Sequence, residues 1–430
     1  MKRIYEPAAY GPQGGCFWAD TVNGPDWPQL NGDVSADVAV IGGGFTGLTC
    51  ALELARSGVD VVVLEAEHAG YGASGRNGGF CCLGGAKASA AKLAAIGWHH
   101  TERAAVDFVD GLIRQHGLVV DRHSQGETIL AHKPRRWAAL QRDAKEIAAL
   151  YGAEPTLIHK CDLRAQGLDG PWHGAMTIPV GFALNPRKYH AGLAQAATKA
   201  GVRTFARSPV TQIVNGAPWR LTTPNGTVRA KRVVLATNGY SSEDLPDWLR
   251  ARYLPVQSSV IVTRALTQSE QDAQGWWSDQ MAYDTRELLH YFRKMPDGRF
   301  LFGMRGGLTA TTRARTAISA KIRRDFAALF PAWKDVPITH EWDGLVCLMA
   351  GLVPFVGAVP KHEGLFAAMG FHGNGVAMGS YAGHLLAGQI TGQPTPYPDA
   401  LKVQPKRFPL GRWRRALLRP AYIAAETLDL

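Results

Sequence analysis

The feature that most constrains the fold of this chain is the stretch 36–79, which reads ADVAVIGGGFTGLTCALELARSGVDVVVLEAEHAGYGASGRNGG. Its apolar, β-branched run at 38–41 is typical of a parallel strand buried on both faces. Apolar residues at helical spacing over 46–56 predict a helix that Gly58 ends. A second buried strand is predicted at 61–64. This order of elements predicts a βαβ unit that binds a dinucleotide.

Three glycines join the first predicted strand to the helix. Gly42 permits the tight turn, Gly44 lets the backbone approach a pyrophosphate, and Gly47 lets the helix pack close to the sheet. The free N–H groups at the start of the helix, around Phe45 and Thr46, are expected to point at the phosphates. These five residues are therefore predicted to bind the cofactor.

An acidic residue, Glu65, follows the second predicted strand, where a carboxylate meets ribose hydroxyls. A plain structural turn is the alternative interpretation of the glycines, but it does not explain why strand, helix, second strand and acid all occur in register. Glu65 also disfavours a 2′-phosphorylated cofactor. The motif by itself does not separate FAD from NAD.

A second glycine-rich loop, GYGASGRNGG at 70–79, favours FAD. A flavin dinucleotide passes close to the backbone there, and glycine removes the Cβ atoms that would block it. A nicotinamide-binding unit has no need of such a loop. Arg76 and Asn77 are candidates for hydrogen bonds to flavin oxygens, and Arg76 for positive charge near N5. The loop residues predicted to contact the cofactor are Ala73, Ser74, Arg76, Asn77, Gly78 and Gly79.

Two later stretches complete the predicted flavin site. GFHGNGV at 370–376 is a strand-to-helix junction whose N–H groups and helix dipole are expected to face the N1 and C2=O edge of a flavin. A simple glycine turn is the alternative there. The other stretch lies at the end of a strand predicted at 233–236. The residues predicted to contact FAD are Gly373, Asn374, Gly375 and Val376 in the junction, and Ala236, Thr237, Asn238 and Gly239 at the strand end.

Composition excludes several other classes of protein. The net charge of +11 is spread along 430 residues without a nucleic-acid-binding motif, so no nucleic-acid partner is predicted. The N-terminus has no apolar stretch after its basic residues, and the most apolar late segment, 345–359, is interrupted by Gly and Pro. We therefore expect a cytoplasmic protein with no transmembrane segment. The cysteines are scattered, which predicts reduced thiols and no metal site.

We predict an α/β fold, α+β overall, in which a Rossmann-like FAD-binding domain carries an inserted antiparallel-sheet substrate domain. Helices are predicted at 101–116, 134–151 and 317–330, and separate strands at 227–230, 233–236 and 288–293. For the basic C-terminal segment, a solvated helix is favoured over peripheral contact with a membrane. The predicted division is an N-terminal extension at 1–35, an FAD-binding domain at 36–90, 150–244 and 346–395, a helical segment at 91–149, the substrate domain at 245–345 and the basic segment at 396–430.

Three motifs in this order, GASGRNGG at 72–79, VVLATNGY at 233–240 and GFHGNG at 370–375, resemble those of the D-amino acid oxidase-like family of FAD-dependent oxidoreductases. The match is most specific to its γ-glutamylputrescine oxidase branch. The resemblance implies an extended FAD with its adenosine at Glu65 and Val210. It also implies that the ring lies between the 72–79 loop and the 370–376 turn, with the 245–345 sheet over its face.

The same resemblance implies a reaction. Family members oxidise the C–N bond of an amine or amino acid to an imine, which water hydrolyses to an aldehyde or keto acid, and many pass the electrons to oxygen to form hydrogen peroxide. Sarcosine oxidases carry a lysine at the position of Ala377, which disfavours a carboxylate adjacent to the nitrogen here. Cys347 lies where some relatives attach flavin, but LVCLMAGLVP matches that pattern poorly, so non-covalent FAD is predicted.

The substrate pocket is expected to be apolar. Only the neutral form of an amine is oxidised, and desolvation lowers the cost of removing its proton. The predicted walls are Trp342, Tyr291, Phe292 and Leu348, for which plain core packing is the alternative.

Three residues are predicted to be catalytic: His372, Tyr291 and Arg293. His372, in the final turn, is expected either to accept a proton near the ring or to bond to backbone. Alternation along the predicted strand sends His290 and Phe292 to one face and Tyr291 and Arg293 to the other. We favour the second pair as hydrogen-bonding contacts of the substrate.

Three functions fit these patterns. The first is an amine or amino acid oxidase that uses oxygen. The second is a dehydrogenase that passes electrons to a quinone or carrier, and the third is a flavin-free binding protein on the same fold. Glycines retained at all three contact loops argue against the third function.

Overall fold

The computed structural model describes residues 1–11 and 14–429. The strands within this part of the chain are β1 (Gly32–Ile41), β2 (Val61–Leu64), β3 (Phe80–Cys81), β4 (Glu127–Leu130), β5 (Thr156–His159), β6 (Gly174–Ile178), β7 (Phe182–Ala183), β8 (Arg203–Phe205), β9 (Gln212–Val214), β10 (Trp219–Thr223), β11 (Gly226–Leu235), β12 (Tyr253–Thr263), β13 (Met281–Asp284), β14 (Tyr291–Lys294), β15 (Phe300–Arg305), β16 (Ile338–Met349), β17 (Phe355–Ala358) and β18 (Leu365–Met369). The α-helices are α1 (Phe45–Arg56), α2 (Ala90–Ala95), α3 (Trp98–His116), α4 (Pro134–Tyr151), α5 (Pro186–Lys199), α6 (Gln268–Gln274), α7 (Thr312–Leu329), α8 (Ala377–Thr391) and α9 (Leu418–Asp429).

The first sheet is a nucleotide-binding sheet with the strand order β17-β18-β11-β1-β2-β8. Its neighbours from β18 to β8 are parallel, and β17 is an antiparallel edge strand. All four side chains of β2 are buried, as the apolar run predicts for a strand covered on both faces. Helices α1, α5 and α8 pack together beside this sheet. The predicted Rossmann-like unit is confirmed.

β11 is one continuous strand where two were predicted. It pairs with β1 from Gly226 to Leu235, and β10 runs antiparallel to it after the predicted hairpin turn. Lys231 and Arg232, which lie between the two predicted strands, are exposed. The prediction of two strands was wrong because a ladder with β1 holds the backbone extended while both charged side chains reach solvent.

The second sheet has the strand order β16-β12-β15-β14-β13-β4-β6-β5. Its pairs are antiparallel except for β13 with β4. The predicted substrate sheet is present, but its bounds were wrong. β4 comes from the predicted helical segment 91–149, and β5 and β6 come from 150–244, which was assigned to the FAD-binding domain. Pairing across such distances leaves no local pattern. The division into domains otherwise stays a prediction.

The strand predicted at 288–293 begins only at Tyr291. Asp284, at the end of β13, accepts hydrogen bonds from the backbone N–H groups of Arg286 and His290, both at 3.2 Å. These bonds close a loop over 285–290, so the backbone there does not pair as a strand.

Helix α7 covers the outer face of the second sheet, as predicted for 317–330. Ile322, Phe326 and Leu329 point inward and pack against Phe300 and Phe302 of β15. Together with tryptophans from the surrounding loops, they form an aromatic core on that face. The opposite face of the sheet is therefore the one turned toward the nucleotide-binding sheet.

The basic C-terminal segment is only partly solvated. Arg414 is fully buried, donates to Tyr253 O at 2.7 Å and pairs with Glu243. Arg415 pairs with Glu6 at 2.9 Å. The prediction of a solvated helix was wrong for these two arginines, because their partners lie on elements far away in sequence. Peripheral contact with a membrane stays the less favoured alternative for this segment. Over residues 1–11 and 14–429, no helix has both the length and the apolar character needed to span a bilayer.

Candidate active site

A continuous cavity of about 360 Å³ lies between the two sheets. Ile41, Leu64 and Ala236 line it at the carboxyl ends of β1, β2 and β11, where open α/β sheets bind ligands. β12 to β16 each contribute lining residues from the second sheet. The three glycine-rich turns of the predicted site, at 42–47, 70–79 and 370–376, form the first, second and third glycine corner. Asn77 of the second corner and His372 of the third both line this cavity. The three glycine-rich corners therefore converge as expected.

The first corner has the geometry of a pyrophosphate cradle. Gly42 adopts a positive φ of 105°, which a side chain would strain, so the chain turns sharply out of β1. A Cβ on Gly44 would lie 2.8 Å from the Ser74 hydroxyl oxygen, which accepts the N–H of Phe45 at 2.9 Å. A side chain at position 44 would therefore displace Ser74 from its hydrogen bond to the start of α1.

Glu65 lies at the end of β2 and organises the same corner. One carboxylate oxygen accepts the N–H of Gly43 at 2.9 Å, and the other accepts the N–H of Glu67 at 3.1 Å. Burial raises the pKa of Glu65, and these backbone donors oppose that shift. The carboxylate thus has a defined orientation at the edge of the cavity, where a ribose is expected.

The second corner is braced by its own side chains. The amide of Asn77 donates to Ala73 O at 3.1 Å and accepts the N–H of Gly79 at 2.8 Å. Arg76 donates to Tyr71 O at 2.6 Å, and its guanidinium lies 4.6 Å from the centre of the Tyr71 ring. Both side chains line the cavity, but these contacts hold the loop in shape.

The third corner contains His372, which is buried and has a positive φ of 51°. Nδ1 lies 2.9 Å from Gly85 O, and Nε2 accepts the N–H of Met349 at 3.1 Å. Burial lowers the pKa of His372 to about 4. The neutral ring therefore uses both nitrogens on backbone, which matches the second of its two predicted roles and leaves neither nitrogen free to accept a proton.

Most residues predicted to bind the cofactor line the cavity. Gly47, Gly79 and Gly239 do not. A Cβ on Gly47 would lie 2.0 Å from Gly42 O, which agrees with its predicted role in close packing of the helix. The predicted residues that line the cavity are Gly42, Gly44, Phe45, Thr46, Glu65, Ala73, Ser74, Arg76, Asn77, Gly78, Val210, Ala236, Thr237, Asn238, Gly373, Asn374, Gly375 and Val376.

Tyr291 and Arg293 share one face of β14, as the alternation predicts, but only Tyr291 reaches the cavity. Its hydroxyl lies 3.0 Å from Ser258 Oγ. Arg293 is 1% exposed and donates to Gly78 O at 3.0 Å and to Leu184 O at 2.8 Å. Its guanidinium thus holds the second glycine corner, and Arg293 does not line the cavity.

The predicted pocket walls were wrong except for Tyr291. Trp342 packs against Trp18 and donates its indole N–H to Arg76 O at 2.7 Å. Phe292 belongs to the aromatic core under α7. Leu348 packs beside Leu254. Alternation along β14 turns Phe292 away from the cavity. Trp342 pairs with Val260, which lines the cavity, so it shares the cavity face of the sheet, but Trp18 packs against it there.

Several lining residues were missed because they come from single positions on different elements. They are Arg3, Lys87, Tyr240, Ser258, Tyr283, Leu289, Arg305 and Leu345. Alternation along β13 and β15 would have identified Tyr283 and Arg305 only if the register of the second sheet had been known.

A buried acid lies behind Tyr283. The phenol donates to one oxygen of Glu127 at 2.8 Å, and the other oxygen accepts the N–H of Leu83 at 2.9 Å. Burial raises the pKa of Glu127 to about 7, with Glu102 adding to the shift and Lys87 opposing it. No sequence pattern pointed to Glu127, since it begins β4 inside the predicted helical segment.

Cys347 lines the cavity and is buried. Burial raises the pKa of its thiol to about 12, so the sulfur is protonated at neutral pH. All six cysteines are free thiols.

These features fit an extended FAD. A Cβ on Gly44 would meet Ser74, and Phe45 and Thr46 in the first turn of α1 line the cavity. Glu65 lines the cavity at the position where a ribose is expected. Asn374 Oδ1 is buried and has no hydrogen-bond partner among the described residues, which leaves an acceptor for a ligand N–H. A dinucleotide cradle that continues into a chamber under a second sheet defines a flavin-dependent oxidoreductase.

Comparison with known proteins agrees with this class. The family described as "DAO: FAD dependent oxidoreductase" matches residues 37–389, and the chain belongs to this family. The protein is therefore an FAD-dependent oxidoreductase, and the predicted family is confirmed.

Two relatives cover nearly the whole chain. A probable oxidoreductase OrdL from Rhizobium meliloti is 32% identical over 408 residues, 92% of each protein. Gamma-glutamylputrescine oxidoreductase from Escherichia coli is 29% identical over 394 residues, which cover 90% of this chain and 91% of the relative. Among solved structures, glycine oxidase from Geobacillus kaustophilus has the same fold, with a TM-score of 0.71 at 22% identity over 86% of this chain and 98% of that one.

Proposed function

We propose that the enzyme oxidises the C–N bond of an amine or amino acid to an imine, which water hydrolyses to an aldehyde or keto acid. Oxygen is the proposed electron acceptor, with hydrogen peroxide as its product. This proposal rests on one cavity that extends from the first glycine corner to the second sheet, where Tyr283 and Tyr291 line it. The relative named gamma-glutamylputrescine oxidoreductase supports an amine substrate.

FAD supplies the two-electron redox chemistry when it is bound. The task left to the protein is to bind an amine as the neutral molecule. An alkyl ammonium group has a pKa of about 10.4, so its neutral form costs about 4 to 5 kcal/mol at pH 7. A chamber with few water molecules lowers this cost because desolvation disfavours the charged form.

Tyr283 and Glu127 offer a route for the proton of the ammonium group. Tyr283 lines the cavity, and its phenol oxygen accepts that proton while its own hydrogen moves to Glu127 along the 2.8 Å bond. A carboxyl with a pKa of about 7 suits this role at neutral pH. Glu102, Lys87, Cys82, Cys81 and Tyr151 are further titratable groups close to Glu127.

The residues first predicted to be catalytic take more limited roles. Tyr291 contacts the substrate as a hydrogen-bond acceptor, because its own O–H donates to Ser258, whose hydroxyl donates to Met304 O. His372 and Arg293 are positioning residues that hold the third and second glycine corners. FAD is proposed to be non-covalent, because the protonated thiol of Cys347 is a poor nucleophile.

Anaerobic mixing with a panel of amines and amino acids tests the proposal. We expect the absorbance of oxidised flavin to bleach with at least one amine, and oxygen consumption with equal peroxide release when air is admitted. Bleaching that needs a dye or quinone for turnover would replace oxygen by another acceptor. A flavin that no amine or amino acid bleaches would contradict the proposed reaction.

A further inference from the structure

The second glycine corner is held from outside the cavity by a row of hydrogen-bond donors. The carbonyl oxygens of four successive residues, 75–78, each accept a bond from a side chain that does not line the cavity. The donors are Cys16 Sγ for Gly75 O at 3.6 Å, Trp342 Nε1 for Arg76 O at 2.7 Å, Trp18 Nε1 for Asn77 O at 2.8 Å and Arg293 Nε for Gly78 O at 3.0 Å. These four carbonyl groups therefore point away from the cavity.

The N–H groups that follow these carbonyls are bound within the loop, with one exception. Those of Arg76 and Asn77 donate to Ala73 O, at 3.2 and 3.1 Å. That of Gly79 donates to Asn77 Oδ1 at 2.8 Å. Within residues 1–11 and 14–429, the N–H of Gly78 has no acceptor, although Gly78 is buried and lines the cavity. Folded proteins rarely leave a buried backbone donor without an acceptor, so this N–H is left for a ligand.

The direction of the free N–H follows from the geometry of its peptide group. Asn77 and Gly78 are joined by a trans peptide bond, in which the C=O and the N–H point in opposite directions. Trp18 holds the oxygen of this peptide from outside the cavity, so the N–H of Gly78 points to the opposite side, into the cavity. A Cβ on Gly78 would lie 2.8 Å from Cε2 of Tyr291, which lines the substrate end. The free donor is therefore at the substrate end of the cavity.

The second sheet fixes the position of Trp18. This residue is 2% exposed and lies in a single turn of 3₁₀ helix, Phe17–Asp20, within the N-terminal extension. It belongs to one hydrophobic cluster with Val260 and Val262 of β12, and its ring meets that of Trp342 edge to face. The sheet thus positions the indole N–H, and the indole positions the peptide group 77–78.

We propose that Trp18 is a positioning residue that turns the N–H of Gly78 toward the ring of bound flavin and thereby raises the redox potential of the flavin. Reduction adds negative charge to a flavin ring, so a hydrogen-bond donor aimed at the ring stabilises the reduced form. A carbonyl oxygen in the same place would destabilise it. Without the indole donor, the peptide group 77–78 is free to turn, because no protein acceptor holds its N–H. This inference rests on the proposed placement of the ring between the second and third glycine corners, and it does not depend on the substrate.

The midpoint potential of the flavin in the holoprotein tests this role, with Trp18→Phe and Trp342→Phe as a matched pair. Both indoles are 2% exposed, and each donates to one carbonyl of the same loop, at 2.8 and 2.7 Å. The peptide group 76–77, which Trp342 holds, is also held at its N–H by Ala73 O, so it should keep its direction in Trp342→Phe. Both variants therefore lose the same kind of bond, but only Trp18→Phe should change the group that faces the flavin ring.

Trp18→Phe should weaken the binding of reduced FAD relative to oxidised FAD by at least about tenfold, as for the loss of a hydrogen bond to a charged group. For a two-electron couple, this change corresponds to a midpoint potential about 30 mV below that of the parent. Trp342→Phe should keep the parent potential. Both variants should lower Tm to a similar extent, because each loses one buried hydrogen bond. Reductive titration against a reference dye measures the potential without any amine.

Equal potentials in Trp18→Phe and Trp342→Phe, whether both are shifted or neither is, would overturn the redox role and leave Trp18 as a structural brace. The proposed oxidation of amines would stand, since the titration contains no amine. If Trp18→Phe is purified without flavin, its apoprotein is titrated with oxidised and with reduced FAD, and the ratio of the two Kd values gives the same comparison. A potential lowered in Trp18→Phe alone, in an enzyme that oxidises no amine, would support the role of Trp18 and contradict the proposed reaction.

Discussion

The nucleotide end and the substrate end of the cavity are built in different ways. The nucleotide end consists of short runs, at 42–46, 72–78 and 373–376, in which neighbouring residues act together on one corner. The substrate end takes single side chains from separate elements, such as Lys87, Tyr283, Tyr291 and Arg305. Local sequence therefore specifies cofactor binding, whereas the register of the second sheet specifies what meets the substrate.

The largest effect is expected from filling the pyrophosphate cradle. Gly44→Val places methyl groups beyond a Cβ that already lies 2.8 Å from Ser74 Oγ, so the purified protein should contain no flavin by absorbance. Gly111→Ala is the control, because no atom lies within 4 Å of a Cβ there and the residue sits inside α3. Full flavin content in Gly44→Val would show that the cofactor does not use this corner.

Substitutions of Tyr291 and Arg293 on β14 should have different effects, because Tyr291 lines the substrate end of the cavity and Arg293 holds the second glycine corner. Arg293→Met removes the donors of two buried carbonyls, Gly78 O and Leu184 O, and should lower the free energy of unfolding by about 3 kcal/mol and weaken flavin retention. Tyr291→Phe removes one hydrogen bond, with Ser258, and should cost about 1 kcal/mol. Denaturant titration measures both.

The same pair should differ in kinetics. Tyr291→Phe should raise KM for the amine while flavin content stays full. Arg293→Met should instead lose activity in proportion to its lost flavin. If Arg293→Met instead raised KM for the amine while its flavin content stayed full, Arg293 would be a substrate contact, as first predicted.

A pH effect on stability should come from Glu127. Its folded-state pKa of about 7 lies above its unfolded value of 4.5, so the folded protein holds a proton that the unfolded chain has released. Stability therefore falls as pH rises between these values, by about 3 kcal/mol from this group. Glu127→Gln keeps the shape of the side chain and should reduce the decrease in the free energy of unfolding as pH rises.

The measurement is the free energy of unfolding of the holoprotein at pH 5 and pH 8. Glu146→Gln, an exposed change on α4, is the control and should keep the parent pH dependence. An equal pH dependence in Glu127→Gln and the parent would mean that Glu127 is ionised throughout. It would also remove the support that a pKa near 7 gives to the proposed proton route through Tyr283.

A loss of cofactor affinity is expected at Glu65. Glu65→Gln keeps one acceptor but removes the charge that faces the N–H groups of Gly43 and Glu67. We expect FAD to bind about 10- to 100-fold more weakly to the reconstituted apoprotein, as for loss of a charge-assisted hydrogen bond. Titration of apoprotein fluorescence with FAD measures this change. An unchanged Kd would exclude Glu65 from ribose binding.

The same difference between the two ends of the cavity explains which site residues could be predicted from the sequence. Gly42, Gly44 and Glu65 could be placed from sequence because a strand, a turn and a helix are local and their order is readable. Glu127 and Arg305 could not, because β4 joins β13 and β15 joins β14 only in the folded sheet. Trp342 was misassigned because Trp18, which is distant in sequence, packs against it in the folded protein.

The electron density of a crystal of the purified holoprotein tests the central claim most directly. We predict density for one extended FAD that begins beside Glu65 and Val210, passes Gly44 and Ser74, and ends between the 72–78 loop and Gly373–Val376. Density for a dinucleotide whose ring end lies away from His372, or a cavity filled only by ordered water in yellow crystals, would contradict it.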